Sequence, residues 1–199
     1  MTALYLVRHA STEWSNTHRY LSRTDIDLSV NGDNEARRLA EWAATMRVDA
    51  IVTSPSRRAV RTAAVVAGRL GVEARRDERL RELDFGSAEG RTLAELRATD
   101  ADAVARFESD PFAHPLPGGE KPANALARIR SAMADLLATS VSRPLVVTHN
   151  TLLRLFLCDA LGLLPSDYRR RFPIAEHCAV TELSVSGGTV ALLRFNAAL

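Results

Sequence analysis

The chain has 199 residues, of which 46% are hydrophobic and 25% charged, as in soluble globular domains of average composition. Its formal charge of +2 comes from 26 basic and 24 acidic residues, a balance that argues against a nucleic-acid or membrane-surface partner. No apolar stretch approaches the roughly 18 residues of a spanning helix, and the N-terminus lacks the basic and apolar regions of a signal peptide. The sequence therefore predicts a single domain over 1–199, located in the cytoplasm.

Patterns typical of strands and helices alternate along the chain. Short apolar runs rich in strand-forming residues predict strands, and apolar residues spaced three and four apart predict helices. The predicted strands are 3–7, 50–53, 72–76 and 144–148, followed by a closing hairpin of 179–185 and 189–195. The predicted helices are 32–46, 55–70, 92–98, 101–108, 124–138 and 152–161. This alternation predicts an α/β fold, a three-layer α/β/α sandwich around a mixed, mostly parallel sheet.

Turn-forming residues mark the connections between these elements. The segment 80–89 and the proline- and glycine-rich segment 111–119 are predicted to be loops. Together with the two short helices before it, the second loop predicts a small lid at about 92–121. Ser54 and Pro55 precede the second long helix, where we expect Ser54 to cap the helix and Pro55 to occupy its first turn.

Two histidines stand where predicted strands end. His9 follows the strand 3–7 and the intervening Arg8, and His149 follows the strand 144–148 directly. In α/β sheets, ligands bind beyond the carboxyl ends of the strands. The sequence therefore predicts that both histidines belong to one site.

Four segments carry polar groups where predicted strands or helices meet loops. They read LVRHASTEW at 6–14, TSPSRRAVRTA at 53–63, LRELDFGSAEG at 80–90 and VVTHN at 146–150. In this order and context they resemble the histidine phosphatase superfamily, in its phosphoglycerate-mutase-like branch, over about 4–195. The resemblance implies the fold of that family and a phosphoryl transfer that passes through a histidine.

The first two segments imply a nucleophile and its phosphate clamp. By the resemblance, His9 is the nucleophile and Arg8 is its phosphate-binding neighbour. Arg58 matches the second arginine of the clamp, with Arg57 and Arg61 as alternatives. These residue types suit the chemistry, because guanidinium forks match pairs of phosphate oxygens and neutral imidazole is a nucleophile near pH 7.

The third and fourth segments imply a proton donor and a second histidine. Glu82 matches the acidic proton donor of the family, and an ordinary ion pair with Arg79 or Arg81 is the alternative reading. His149 matches the second catalytic histidine and precedes a helix N-terminus, which favours anions through its free backbone N–H groups. The resemblance further implies substrate contacts at Arg8, Ser15, Asn16, Thr24, Arg58, Glu82, His149 and Asn150.

The first segment departs from the family pattern at several positions. The family often reads Arg-His-Gly-Glu-Thr there, whereas this chain has Ala10 and Ser11, and Ser11 removes a carboxylate near the pocket. Six residues past the nucleophile, Ser15 replaces an asparagine that contacts phosphate, and Asn16 stands beside it. A serine hydroxyl can still donate to phosphate but reaches less far.

The remaining histidines and one loop also bear on the pocket. His177 stands where relatives often have asparagine, so it either faces the pocket or has a structural role. His18 and His114 match no catalytic motif and are expected at the surface or the pocket rim. The run PGGE at 117–120 resembles a family loop near the active site, with Lys121 in place of the usual small polar residue.

The residues and the resemblance together predict an enzyme. We expect a phosphatase that hydrolyses a small phosphorylated metabolite through a phosphohistidine on His9. One alternative is a phosphoglycerate mutase, which returns the phosphoryl group to substrate; the other is a non-catalytic phosphate-binding domain. No cofactor is expected, and no metal, because the histidines lack the spacing of zinc motifs. A homodimer is possible.

Overall fold

The computed structural model describes residues 1–199 and contains six strands, seven α-helices and four short 3₁₀ turns. The strands are β1 (Thr2–Arg8), β2 (Ala50–Thr53), β3 (Ala74–Arg76), β4 (Pro144–Thr148), β5 (Val180–Ser186) and β6 (Thr189–Ala197). The helices are α1 (Val30–Thr45), α2 (Arg57–Leu70), α3 (Leu93–Arg97), α4 (Ala101–Ser109), α5 (Pro122–Leu137), α6 (Asn150–Ala160) and α7 (Tyr168–Arg171). The 3₁₀ turns are Ser15–Thr17, Glu78–Leu80, Gly86–Ala88 and Pro165–Asp167.

All six strands form one mixed sheet in the order β3-β2-β4-β1-β5-β6. The strands β3, β2, β4 and β1 run parallel, whereas β5 and β6 form the predicted antiparallel hairpin at one edge. Gly187 and Gly188 make its turn, and both adopt the positive φ angles that glycine tolerates. The prediction of a mixed, mostly parallel sheet is confirmed.

Helices cover both faces of the sheet because side chains along each strand alternate between them. On one face, Tyr5 and Val7 of β1 pack in a buried cluster with residues of α1 and α2. On the other, Leu4 and Leu6 pack in a larger buried cluster with residues of α5 and α6. The three-layer arrangement predicted from the sequence is therefore confirmed, and each of its helices is too short or too polar to span a lipid bilayer.

The predicted start of the second long helix is wrong. The helix α2 begins at Arg57, with Ser56 as the residue before it, so Pro55 lies outside the first turn. Ser54 does not cap the helix, because its hydroxyl oxygen accepts from the Ser56 N–H and contacts His149 instead. Three other helices begin two residues earlier than predicted, α1 at Val30, α5 at Pro122 and α6 at Asn150.

The segment between residues 92 and 121 forms a small unit of its own beside the sheet. It consists of α3, α4 and the loop that follows them. A capping box of Thr92 and Glu95 starts α3, with each side chain bonded to the other residue's backbone N–H. Its apolar residues join a separate buried cluster of Ala88, Leu96, Val104, Phe107 and Leu116.

Candidate active site

The sheet brings His9 and His149 together as the sequence predicts. The strands β1 and β4 are parallel neighbours in which Arg8 pairs with Thr148, so the next residue of each strand end is a histidine. The backbone N–H of His9 donates to the carbonyl oxygen of Thr148 across 2.9 Å. The two imidazole rings are buried, with centroids 5.2 Å apart.

The imidazole of His9 is held in one tautomer. Its Nδ1 lies 2.8 Å from the carbonyl oxygen of Ala10, and since a carbonyl only accepts, Nδ1 carries the proton. The Nε2 atom is then the bare nitrogen, and it accepts a hydrogen bond from Nε of Arg58 across 3.2 Å. Burial first, and then the Arg58 charge, hold the pKa of His9 well below its usual value. The ring is therefore neutral near pH 7, and its Nε2 lone pair is occupied only by the hydrogen bond from Arg58.

A hydroxyl couples the His9 loop to the helix that carries Arg58. The Ala10 N–H donates to the hydroxyl oxygen of Thr62 across 3.0 Å, and that hydroxyl donates to the Arg58 carbonyl across 2.7 Å. On the opposite side, Gly32 of α1 approaches the same loop so closely that a Cβ atom would lie 2.1 Å from the Ser11 carbonyl oxygen. Only glycine fits there, and the loop is fixed between two helices.

Arg58 is fully buried, and each nitrogen of its guanidinium donates at least one hydrogen bond. Its Nη1 donates to the carbonyl of Thr24, and its Nη2 donates to those of Ser22 and Leu21. The carboxylate of Glu89 holds this carbonyl-bearing loop through the N–H groups of Ser22 and Thr24 and the Ser22 hydroxyl. Burial lowers the pKa of Arg58, and the nearby charge of Glu82 opposes that effect.

The other two arginines considered for the clamp lie elsewhere. Arg57 and Arg61 are about half exposed, and both form ion pairs with the carboxylate of Asp27. Neither contacts His9 or His149. Of the three candidates, the structure places Arg58 alone against both histidines.

His149 is also fixed in one tautomer. Its Nδ1 accepts from Nη2 of Arg58 across 3.3 Å, because a guanidinium only donates. Its Nε2–H then donates to the hydroxyl oxygen of Ser54 across 2.7 Å. Burial and the Arg58 charge hold the pKa of His149 well below its usual value, so this ring is neutral too.

Arg8 lines the site and carries a buried donor that has no partner. Its Nη1 donates to the carbonyl oxygen of Ala175 across 3.0 Å. Its Nε is the one buried side-chain nitrogen or oxygen of the molecule without a hydrogen-bond partner. Burial lowers the pKa of Arg8 to about 10, which still leaves the guanidinium charged near pH 7. A buried, charged and unsatisfied donor is costly unless an anion occupies the site.

Glu82 caps the helix α6 from a distant part of the chain. Its Oε2 accepts from the N–H of Thr151, and its Oε1 accepts from those of Leu152 and Leu83, all within 3.1 Å. The expectation of free N–H groups at this helix end is therefore wrong for Thr151 and Leu152. The alternative of an ion pair with Arg79 or Arg81 is also wrong, because these arginines pair with other carboxylates.

The backbone around Glu82 is held by Arg128 of α5. Its guanidinium donates to the carbonyl oxygens of Arg79, Arg81 and Glu82. The carboxylate of Glu120 pairs with the same guanidinium through two bonds of 2.9 Å. The acidic residue of the PGGE run thus supports the Glu82 segment from behind.

A cavity of about 930 Å³ opens over these groups. Six of the predicted site residues line it: Arg8, His9, Ser15, Asn16, Glu82 and Asn150. The other three, Thr24, Arg58 and His149, do not line it. His177 lines the cavity and His18 lies at its exposed rim, whereas His114 is exposed elsewhere. No group of three or more His, Cys, Asp or Glu side chains is arranged to hold a metal ion.

A carboxylate from α1 lies at Ser11, the position where the family often has a glutamate. The Ser11 N–H donates to Oε2 of Glu35 on α1 across 2.7 Å, and Glu35 lines the cavity. Sequence reasoning missed this residue, and it missed Ser54, Thr62 and Arg128 as well. Thr62 had a usable signal, because it lies four residues after Arg58 and so on the same helix face.

Comparison with known proteins agrees with this geometry. The model of the histidine phosphatase superfamily, branch 1, matches residues 4–198. The chain belongs to the histidine phosphatase superfamily. The resemblance read from the four segments is therefore confirmed over nearly the whole chain.

Relatives within this superfamily carry the names of phosphatases and of mutases. A putative phosphoserine phosphatase 2 of Hydrogenobacter thermophilus is 32% identical, over 98% of this chain and 96% of its own length. A probable phosphoglycerate mutase GpmB of Enterobacter sp. is also 32% identical, over 92% of this chain and 85% of its own. Among solved structures, a mycobacterial glucosyl-3-phosphoglycerate phosphatase in complex with VO3 superposes with a TM-score of 0.91 at 28% identity, and each chain is fully covered.

Proposed function

We propose that this histidine phosphatase superfamily member hydrolyses a small phosphomonoester metabolite through a phosphohistidine on His9. The observation that carries the proposal is the state of the His9 ring. Its Nδ1–H is bound to the Ala10 carbonyl, and its bare Nε2 faces the Arg58 guanidinium. Beside it, Arg8 lines the same cavity and brings a second buried guanidinium charge to a phosphoryl group.

In the first step, a phosphoryl oxygen takes the Nε–H hydrogen bond of Arg58 from His9. The freed Nε2 lone pair attacks phosphorus, and the bond from phosphorus to the leaving oxygen breaks. Glu82 gives that oxygen its proton, and Oε2 suits this task because it accepts only one N–H bond, from Thr151. The Arg8 and Arg58 charges stabilise the charge on the equatorial oxygens. His149 holds Arg58 through Nη2, the nitrogen that also donates to the carbonyls of Ser22 and Leu21.

In the second step, water attacks the phosphohistidine. The phosphorus–nitrogen bond breaks, its electron pair returns to Nε2, and Glu82 takes the proton that the water releases. The products are the alcohol from the first step and inorganic phosphate. The VO3 complex of the mycobacterial relative supports a site of this chemistry in the shared fold.

Rapid quenching during turnover tests the proposal. We expect acid-labile phosphate on His9, located by mass spectrometry, and its absence in a His9→Ala variant. A His18→Ala variant is the matched control, because His18 lies at the exposed cavity rim and should leave the label unchanged. Label on another residue, or full activity in His9→Ala, would contradict the mechanism.

The reaction is further proposed to need no metal ion. Two buried guanidinium groups, Arg8 and Arg58, already supply the positive charge that a metal would bring to a phosphoryl group. Activity measured after dialysis against EDTA should therefore equal that of the untreated enzyme. Loss of activity in EDTA with recovery on adding a divalent metal would disprove this part of the mechanism.

A phosphoglycerate mutase is the second candidate function. The relatives named as probable phosphoglycerate mutases, at about 85% coverage of their own length, are the observation that favours it. The same groups would form the phosphohistidine in both reactions. The two differ only in whether water or substrate receives the phosphoryl group.

A further inference from the structure

His177 lies beside the nucleophile, and no step of the proposed mechanism uses it. Its ring centroid is 5.4 Å from that of His9, and both rings line the same cavity. The segment is fixed to the end of β1, because His177 bridges to Arg8 and the Cys178 N–H donates to the Arg8 carbonyl across 3.0 Å. Cys178 adopts a φ of 54°, which turns the chain away directly after His177.

One ring nitrogen of His177 forms a hydrogen bond and the other does not. Its Nδ1 lies 2.8 Å from the carbonyl oxygen of His9, so Nδ1 carries the proton and donates it. Its Nε2 makes no hydrogen bond within the protein and is a bare acceptor. The asparagine that relatives often have here can copy the bond to the carbonyl, but an amide cannot gain or lose a proton near neutral pH.

Charged groups of both signs surround His177. Arg8 and His9 stand next to it at the end of β1, and Glu176 precedes it in the chain. The other charged side chains that line the cavity are Glu13, Arg19, Glu35, Glu82, Arg154 and Arg169. Burial and the Arg8 charge lower the pKa of His177 to about 3, so the empty site holds a neutral ring.

A phosphoryl dianion bound beside His177 would place a second acceptor against its Nε2, because the oxygens of the dianion also only accept hydrogen bonds. Two acceptors repel unless a proton lies between them, whereas one shared proton makes a charge-assisted hydrogen bond. We propose that Nε2 of His177 and an oxygen of the bound phosphoryl group share one proton, which is taken up from solvent when the anion binds. This inference rests on the proposed function, since it places the phosphoryl group at His9.

Through this shared proton, His177 would favour binding of the phosphate monoanion over the dianion. A phosphate monoanion brings the shared proton with it, whereas a dianion must collect one from solvent. The affinity for inorganic phosphate should therefore fall by up to about tenfold for each pH unit above the ionisation of phosphate. A His177→Asn variant keeps the bond to the His9 carbonyl but loses this dependence.

Calorimetry of phosphate binding tests the proton directly. The full-length protein is titrated with inorganic phosphate at about pH 8.5, above the second ionisation of inorganic phosphate near neutral pH, in buffers of different ionisation enthalpy. We expect uptake of about one proton per phosphate in the wild type and clearly less in His177→Asn. Equal uptake in the two proteins would overturn the inference.

Nitrogen NMR of the wild type covers the case in which His177→Asn binds no phosphate. The signals of His177 are assigned by their absence from the spectrum of the variant. Saturation with phosphate should move them to the pattern of an imidazolium or of a shared proton, and an unchanged neutral pattern would overturn the inference. Neither result requires turnover, so phosphatase activity with equal proton uptake would disprove the role of His177 alone, while absence of hydrolysis would disprove the proposed function.

Discussion

Ser54 accepts a 2.7 Å hydrogen bond from Nε2–H of His149, and both residues are fully buried. This bond fixes the ring so that Nδ1 faces Arg58 as an acceptor. Without it, the imidazole could turn over or take its other tautomer, and a donor would then oppose the guanidinium. Ser54 is therefore a positioning residue that acts on the clamp through His149.

The variant Ser54→Ala should lower kcat by about tenfold, because a buried donor left without its acceptor costs roughly 1–3 kcal/mol. Steady-state kinetics would measure the loss, and Ser54→Thr, which keeps a hydroxyl, should restore much of it. Thr181→Val is the control, since Thr181 carries a buried hydroxyl on β5 that bonds to neither Ser54 nor His149. If Ser54→Ala slows a His149→Ala enzyme as much as it slows the wild type, Ser54 does not act through the histidine.

The proposed role of Glu82 as general acid can be tested with esters that have different leaving groups. Substituting Glu82→Gln removes the acidic proton, so esters with poor leaving groups should slow by roughly 10²- to 10⁴-fold. The ester p-nitrophenyl phosphate, whose leaving group needs little protonation, should slow far less. We also expect Glu82→Gln to be less stable, because an amide cannot accept all three N–H bonds. Measuring both substrates on one protein sample cancels any resulting loss of folded enzyme.

Glu120→Gln is the control for this comparison. Glu120 pairs with Arg128 behind the Glu82 segment and does not line the cavity. Its loss should therefore slow both substrates by the same factor. Equal slowing of both substrates in Glu82→Gln itself would argue against the role of general acid.

The sequence predicted those features that depend on short-range pattern. Strand ends next to His9 and His149 follow from local apolar runs, and the parallel pairing of β1 and β4 then brings the two rings together. The capping of α6 by Glu82 could not be predicted, because it joins residues almost 70 positions apart. The same holds for Glu35, which reaches the nucleophile loop from a helix whose other residues gave no sign of the site.

The misplaced start of α2 has the same physical origin. A serine before a proline is a common opening for a helix, and local propensity favoured that reading. Here the Ser54 hydroxyl is occupied by His149, which arrives from β4 almost 100 residues later. The tertiary contact between Ser54 and His149 outweighs the local preference for capping, and it lies within the candidate site.

Stability should depend on pH through the buried histidines. The folded-state pKa values of His9, His149 and His177 are lowered, whereas in the unfolded chain each histidine titrates near 6.5. Above about pH 6.5 both states are neutral and the stability is fully present. As the pH falls below that value, the unfolded chain gains protons that the folded chain does not, so unfolding becomes easier by up to about 1.4 kcal/mol per pH unit and histidine.

Urea unfolding at about pH 7.5 and pH 5.5 would measure this effect. The free energy of unfolding should fall between the two values, and it should fall by about 1 kcal/mol less in His177→Asn, which lacks one of the three groups. Contributions from carboxylates are common to both proteins and cancel in the comparison. The same loss in variant and wild type would mean that His177 is not held neutral by the fold.

The last prediction is that water accepts the phosphoryl group, and it is based on how little of the chain covers the cavity. A mutase must exclude water while its bisphosphorylated intermediate reorients, and closure of a lid is the usual means. Between Glu82 and His149, only Phe85, Thr92 and residues of α3 and α4 line the cavity, and no residue of the loop 111–119 does. The two helices share a buried cluster of five residues, too small a unit to seal a cavity of about 930 Å³.

Water should therefore reach the phosphohistidine before a second substrate molecule does. Incubation with 3-phosphoglycerate and a trace of 2,3-bisphosphoglycerate should release inorganic phosphate and form almost no 2-phosphoglycerate. Efficient formation of 2-phosphoglycerate with little free phosphate would instead establish the mutase. The short lid would then have to close more tightly than its small apolar cluster suggests, since the mutase and phosphatase reactions differ only in what occupies the position in line with Nε2 of His9.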